Sequence, residues 1–175
     1  MGDVSGLEAI PSLEEAQIWA DRADLNGHAI EHLRWIALSR AQNTRLDGES
    51  RKKWAKLALR VNARADRDRP FAQARIAAQS AQLRTLIIDQ LGPDRDDRDW
   101  DPDIVAADIL ADLTVQPARA RELSGTWRDM PLDQMASLRG IKNVTAPLAR
   151  LLPHLQPGTN CDLIREWIAV RNLLP

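Results

Sequence analysis

Hydrophobic and polar residues alternate along this chain with the period of an α-helix. The clearest case is a set of apolar residues that follow the i, i+3, i+4, i+7, i+11 spacing of one helical face, namely Trp54, Leu57, Ala58, Val61 and Ala65. The two-residue alternation that is typical of β-strands never extends over more than a few positions. The pattern therefore predicts an all-α protein.

Residues that are typical of helix ends separate the first two predicted helices. Ser12 and Glu15 have the spacing of a capping box and predict a first helix that runs to about Leu25, before Asn26-Gly27. A second helix is predicted from the apolar residues on one of its sides, which are Ile30, Leu33, Ile36 or Ala37, and Ala41.

Prolines and glycines delimit the later helices. Pro70 fits the first position of a fourth helix, which Gly92-Pro93 ends. Asp101-Pro102 has the form of an N-cap followed by proline and opens a helix that runs through Leu113. Shorter pieces are predicted over residues 117–123, 131–138, 146–152 and 161–172. The chain is thus predicted to be a single all-helical domain over residues 1–175, with roughly seven to nine helices and a last third of short, Pro-punctuated helices.

The amino-acid composition indicates the cellular location that we expect for the protein. The only cysteine, Cys161, excludes a disulfide within the chain and favours a cytoplasmic location. The N-terminus lacks the basic start and apolar core of a signal peptide, and no apolar run approaches the roughly 18 residues of a membrane-spanning helix. We therefore expect no association with a membrane.

Charge is segregated along the chain although the net charge is only −1. Residues 1–38, 39–84, 85–112 and 113–175 carry net charges of −5, +8, −7 and +3. Opposed blocks of this kind either complement each other within one fold or steer a partner.

Candidate metal chemistry is limited to one short motif. "HAIEH" (residues 28–32) matches the H-x-x-E-H letters of an inverted zinc-protease motif, with His28, Glu31 and His32 on one stretch of helix. His154 is the only other histidine that could complete such a site, and an all-α chain is the wrong context for it. A metal-dependent hydrolase is therefore the third-ranked hypothesis, and two partly exposed histidines near a helix start are the preferred interpretation.

Other catalytic motifs are missing from the sequence. There is no Glu-x-x-His pair for a di-iron site, no phosphate-binding loop and no nucleophile elbow. Cys161 is interpreted as a small residue near a helix start. We predict no catalytic residue, metal site or cofactor in this chain.

A basic stripe on the third helix raises the possibility of nucleic-acid binding. It consists of Lys53, Lys56, Arg60, Arg64 and Arg67. Aromatic residues that would stack on bases do not accompany it, because Trp54 belongs to the apolar face. The preferred interpretation is a solvated or salt-bridged face; a free-standing helical adaptor that binds nucleic acid through residues 51–67 is the alternative.

Tryptophan dominates the aromatic residues, with six Trp, one Phe and no Tyr. Four of the six lie at helical spacing and are predicted core anchors, namely Trp19, Trp35, Trp54 and Trp167. Trp100, in the acidic loop 94–101, and Trp127, shortly before Pro131, have a weaker claim on a core. Since Trp is enriched in protein interfaces, these two are predicted to contact a partner.

The stretch "PLDQMASLRGIKNV" (131–144) resembles a segment near the C-terminus of the γ subunit of soluble methane monooxygenase hydroxylase. That segment has Pro-Leu, an acidic residue, an aliphatic residue two further on, Arg-Gly, an aliphatic residue and a basic residue. The matching residues here are Pro131, Leu132, Asp133, Met135, Arg139, Gly140, Ile141 and Lys142. A second stretch, "LDGESRKKWAKLALRV" (46–61), is similar to another part of that subunit.

The resemblance implies an all-α subunit of a di-iron hydrocarbon monooxygenase hydroxylase. In that family the α subunit holds the di-iron centre, and the γ subunit is non-catalytic and packs on the outside of α and β. The predicted contacts with these larger subunits are Trp100, Trp127, Pro131, Leu132, Arg139 and Lys142. Residues 127–144 are expected to be ordered by the partner, because Pro131 and Gly140 break the segment and Gly140 is expected to end its short helix.

Overall fold

The structure is a computed structural model that describes residues 12–22, 27–65, 72–113 and 115–174. Within these ranges every regular element is helical. The nine α-helices of the described ranges are α1 Leu13–Asp21, α2 Gly27–Gln42, α3 Gly48–Ala65, α4 Ala72–Leu91, α5 Pro102–Ala111, α6 Pro117–Gly125, α7 Leu132–Thr145, α8 Leu148–Leu151 and α9 Thr159–Arg171. The same ranges also contain two 3₁₀ turns, Trp127–Asp129 and Leu152–His154. The predicted all-α class and the predicted number of helices are confirmed.

The chain forms two compact units, Met1–Ile76 (unit 1) and Ala77–Pro175 (unit 2), with the boundary inside α4. The single domain over residues 1–175 stays a prediction. The later helices are short and several begin at prolines, as predicted: α5 and α6 each have a proline in their first turn.

Unit 1 is built on the packing of α2 against α3, with α1 also contacting both. On α3, the predicted apolar face is buried from Trp54 to Val61. On α2, the buried residues recur every four positions, at Ala29, Leu33, Ala37 and Ala41. Three of these four are small, which lets the backbones of α2 and α3 approach closely. The predicted core faces of both helices are confirmed, although Ile30 and Ile36 are only half-buried.

Side chains cap the N-terminal ends of three helices, α1, α3 and α5. At α1, the Glu15 amide donates to Ser12 Oγ (3.2 Å), which confirms the N-cap half of the capping box, and the Ser12 hydroxyl donates to the Glu15 carboxylate (3.1 Å). At α5, the amide of Asp103 donates to Asp101 Oδ1 (2.9 Å), as its predicted N-cap role requires. At its C-terminal end α1 stops at Asp21, and the predicted end near Leu25 lies outside the described residues.

Asp47 caps the start of α3, and this cap is expected to depend on pH. Its carboxylate accepts from the Ser50 amide (2.8 Å) and from the Ser50 hydroxyl (2.7 Å), and these bonds lower the pKa of Asp47 below its ordinary value of 3.8. A carboxyl whose folded pKa is depressed stabilises the fold above its unfolded pKa, and this contribution is lost as the pH falls through the folded pKa.

We therefore expect Asp47→Asn, which keeps an acceptor but cannot titrate, to flatten the fall in unfolding free energy below pH 3.8. The measurement is urea unfolding at a series of pH values from neutral to about 2.5. Asp96→Asn is the control, because Asp96 is exposed and forms no ion pair with a described residue. Parallel curves for wild type and Asp47→Asn would contradict the prediction.

Helix α9 is the centre of unit 2, since α5, α6, α7 and α8 all contact it. Its inward face consists of buried Cys161, Ile164, Trp167 and Val170. The Cys161 thiol donates to the carbonyl of Gln156 (3.1 Å). Cys161 is thus a small buried residue near a helix start, as predicted.

The acidic loop between α4 and α5 is a folded corner. The Asp94 amide donates to the Trp100 carbonyl (3.1 Å), and the Trp100 amide donates to the Asp97 carbonyl (2.8 Å). Closing the loop in this way directs the indole of Trp100 inward, where it is wholly buried. The prediction that Trp100 stands outside the core and contacts a partner is therefore wrong.

Arg84 of α4 holds this corner from outside the loop. Its guanidinium donates to the carbonyls of Asp99 (3.1 Å) and Arg98 (3.0 Å), and its ion pair with Asp108 of α5 is 2.8 Å long. A single side chain thus satisfies two loop carbonyls and links the helices on both sides of the loop.

Helix α7 continues through Gly140, so the prediction that Gly140 ends a short helix over 131–138 is wrong. The physical reason is tertiary. Leu138 and Val144 lie on either side of Gly140 in the sequence and are both buried, in a helix that packs on α9. Burial of such side chains contributes about 1.5–3 kcal/mol each, which outweighs the roughly 1 kcal/mol that glycine costs inside a helix.

Gly140→Ala is expected to raise the free energy of unfolding by about 0.5–1 kcal/mol, because alanine restricts the unfolded chain more than glycine does. Beyond the backbone of its own helix, a Cβ at this position meets no atom of a described residue within 4 Å. Gly92→Ala is the matched contrast. Gly92 ends α4 with a φ of 84°, and we expect alanine there to cost about 1 kcal/mol. Chemical denaturation of both variants checks the two signs, and a destabilised Gly140→Ala would contradict the helical role of this glycine.

Candidate protein interface

The predicted interface residues other than Trp100 lie in one segment of unit 2, the 3₁₀ turn Trp127–Asp129 followed by α7. Trp127 is half-buried, and the Arg128 guanidinium lies 5.7 Å from the centroid of its ring. Pro131, Leu132 and Arg139 are exposed. Leu132 is 82% exposed, more than any other large hydrophobic residue in the described part of the chain.

Helical geometry places part of this segment in one stripe. Leu132, Met135, Arg139 and Asn143 follow the i, i+3, i+7, i+11 spacing of a single helical face. Leu132, Arg139 and Asn143 are exposed, and Met135 is half-buried. Leu138 and Val144, which are buried, lie off this stripe. We call these four positions the α7 stripe; it presents an exposed leucine at its N-terminal end and an exposed arginine further along the helix.

Lys142 is engaged within unit 2. Its ammonium donates to the carbonyl of Leu174 (2.9 Å), which ties α7 to the segment after α9. Leu173, next in the chain to that carbonyl, is 52% exposed. Lys142 therefore fixes the end of α7 against the chain segment that follows α9.

The tryptophans predicted as core anchors divide into three groups. Trp54 and Trp167 are buried, as predicted, and Trp19 is half-buried. Trp35 is 65% exposed, so its prediction as a core residue is wrong. The reason is helical phase, since Trp35 lies about 200° around α2 from the buried Leu33. Its ring stacks on His32 instead, with centroids 6.3 Å apart. Counting around the helix from Leu33 would have revealed this exposed Trp from the sequence.

The basic stripe of α3 contacts its own unit. Arg60 forms an ion pair with Asp21, Arg64 donates to the carbonyls of Ala20 and Arg22, and Lys53 lies 3.5 Å from Glu49. Arg64 thereby satisfies carbonyls at the C-terminal end of α1. The interpretation of this stripe as a salt-bridged face is confirmed for Lys53 and Arg60, and Arg67 lies outside the described residues.

A surface groove of about 340 Å³ lies between α4 and α5 of unit 2. Its polar groups are the Arg84–Asp108 ion pair, the Ser80 hydroxyl and the Asp112 carboxyl, above a floor of alanines and Ile109. Burial, with the nearby charge of Asp108, raises the pKa of Asp112 above its ordinary value. This set contains neither a histidine nor a thiol.

The histidine motif lies on α2, where His28 is exposed and His32 stacks on Trp35. Over the ranges that the structure describes, no three or more His, Cys, Asp or Glu side chains are grouped as metal ligands.

The described helices include none that is long and apolar enough to cross a membrane. Comparisons of the chain with protein-family models, with characterised proteins and with solved structures gave no match.

Proposed function

We propose that this chain is a non-catalytic γ-type subunit of a soluble di-iron hydrocarbon monooxygenase hydroxylase. In this proposal the chain stabilises larger α and β subunits, which oxidise hydrocarbons with O2, and the di-iron centre belongs to the α subunit. The observation that supports the proposal is that residues of the stretch that resembles the γ subunit are also exposed to solvent. Pro131, Leu132 and Arg139, which belong to the stretch that resembles the γ subunit, are exposed on or beside one helical face.

The energetics favour a docking role for this face. Burying a leucine side chain contributes about 1.5–3 kcal/mol, and Leu132 realises almost none of this within its own chain. Trp and Arg are enriched among the interface residues that contribute most to binding, and both occur here at Trp127 and Arg139. An exposed leucine flanked by these residue types is typical of a protein contact.

The sequence assigns no chemistry to this chain within the assembly. It contains no Glu-x-x-His pair, the motif that supplies iron ligands in helical di-iron sites. In the proposal, iron binding and hydrocarbon oxidation are therefore functions of the partner subunits, and this chain is a structural component of a cytoplasmic oxidoreductase.

Purification from the native host, followed by identification of the copurifying chains, tests the proposal. We expect larger subunits, one of which carries two Glu-x-x-His motifs and iron. Trp127→Ala and Arg139→Ala should each weaken this association by about 2 kcal/mol, roughly 30-fold in affinity. Arg139→Ala should leave the unfolding of the isolated chain unchanged, because Arg139 is exposed and forms no ion pair with a described residue.

Arg165→Ala is the control, since Arg165 is also an exposed arginine of unit 2 but pairs with Asp162 on its own helix (2.8 Å). Copurifying chains without iron or its ligand motif would refute the assignment. For Trp127→Ala, the melting temperature separates two explanations. A sharply lowered value means that Trp127 completes the core of its own chain, whereas an unchanged value with weaker association makes it an interface residue.

A further inference from the structure

We infer that the α7 stripe docks on a protein surface that carries carboxylates around an apolar patch. The inference rests on the proposed function for the existence of a partner, and it adds the chemistry of the partner's surface. Leu132 would pack on this patch, and the arginines on either side of Leu132 in the sequence would pair with the carboxylates.

Unpaired arginines provide the first support. Residues 117–151 carry six basic and three acidic residues. Four exposed arginines of this region, Arg121, Arg128, Arg139 and Arg150, form no ion pair with a described residue. Other exposed arginines of unit 2 do form such pairs: Arg119 lies 2.9 Å from Glu122, and Arg165 lies 2.8 Å from Asp162. The region around α7 thus carries an excess of positive charge, and these four arginines are not compensated by a carboxylate of a described residue.

The arrangement of two of these arginines gives the second support. Arg139 lies two helical turns from Leu132 on the same stripe, a rise of about 10 Å. Arg128 precedes Leu132 by four residues in the 3₁₀ turn. Leu132 therefore lies between two cations along the chain. A buried apolar centre with a charged rim is the usual composition of a protein interface, and complementary charges there set the register and the rate of association.

The same residues favour a carboxylate-bearing protein over nucleic acid. A phosphate backbone offers no apolar surface to an exposed leucine and proline, whereas a protein surface does. The ring of Trp127 is half-buried and has the Arg128 guanidinium 5.7 Å from its centroid, so it is a poor platform for base stacking. The cations are arginines, whose planar guanidinium binds carboxylates through two parallel hydrogen bonds.

Two synthetic helical peptides test this inference without the proposed subunits. Both carry leucine on one face; one has glutamate on the flanking positions, and the other has glutamine there. We expect the full chain to bind the glutamate peptide at least about tenfold more tightly at low salt, with a difference that shrinks as NaCl is raised. Fluorescence anisotropy of the labelled peptides measures both affinities.

Substitutions on and beside the α7 stripe test where the peptides bind. Arg128→Gln and Arg139→Gln should each weaken binding of the glutamate peptide severalfold, and Leu132→Ala should weaken both peptides. Asp129→Asn should strengthen binding of the glutamate peptide, because Asp129 is an exposed carboxylate beside Arg128. Lys53→Gln on α3 is the control and should change nothing.

Three results would overturn the inference: equal affinity for the two peptides, no binding of the glutamate peptide at millimolar concentration, or displacement by duplex DNA that depends on the same arginines. The last result would make the surface a phosphate-binding one. Failure here is distinct from failure of the proposed function. A complex with di-iron subunits can form without charge recognition, and charge recognition can occur with a partner that holds no iron.

Discussion

Trp100→Ala is expected to lower the free energy of unfolding by about 3–5 kcal/mol, the usual cost of truncating a large aromatic residue in a core. Trp100 is wholly buried although it lies in the most acidic stretch of the sequence. Removing the indole leaves a cavity beneath the corner that Arg84 holds together. Denaturant unfolding followed by circular dichroism measures the loss.

Two further variants make this expectation specific. Trp35→Ala should change the stability by less than about 1 kcal/mol, because Trp35 is 65% exposed. Trp100→Phe should cost less than Trp100→Ala, since it retains most of the buried ring and removes an indole N–H that has no hydrogen-bond partner among the described residues. A larger loss for Trp35→Ala than for Trp100→Ala would show that the assignment of these two residues to surface and core is reversed.

Leu132→Asp is expected to abolish assembly with the proposed subunits while the isolated chain stays folded. The substitution removes an anchor worth about 2 kcal/mol and places a carboxylate against a partner surface that we infer to be acidic. The combined effect should reach about 4 kcal/mol, nearly a thousandfold in affinity. Copurification and analytical ultracentrifugation measure the association, and thermal unfolding measures the stability of the chain.

Ile18→Asp is the matched control for this variant. Ile18 is a 59% exposed aliphatic residue of α1 in unit 1, so the same chemical change falls on another surface. We expect it to leave assembly intact. Equal loss of assembly in both variants would move the interface away from α7, and a fall in the melting temperature of Leu132→Asp would mean that Leu132 stabilises its own chain.

Local sequence determined the helices and many of their ends. The capping box of Ser12, the N-cap of Asp101 and the helix end at Gly92 depend on residues within one turn of each terminus, so a short window contains all the necessary information. The apolar face of α3 was predictable for the same reason, because its spacing repeats over about three turns and only one side of the helix can be buried.

The tertiary structure decided the features that depend on distant residues. Trp100 is buried because its loop closes on itself and Arg84, from the preceding helix, satisfies the loop carbonyls. Helix α7 extends through Gly140 because it buries Leu138 and Val144 and packs on α9, which follows it in the chain.

The candidate interface likewise depends partly on the local sequence and partly on the tertiary structure. The sequence selected Trp127, Pro131, Leu132 and Arg139 by residue type and by resemblance, and it identified no pairing partner for any of them. Only the packed structure distinguishes Leu132, which is 82% exposed, from Leu138, which is 2% exposed on the same helix. Residue type sets how much free energy a side chain gains on burial, whereas the position of the neighbouring helices decides whether that burial occurs within the chain or is left for a partner.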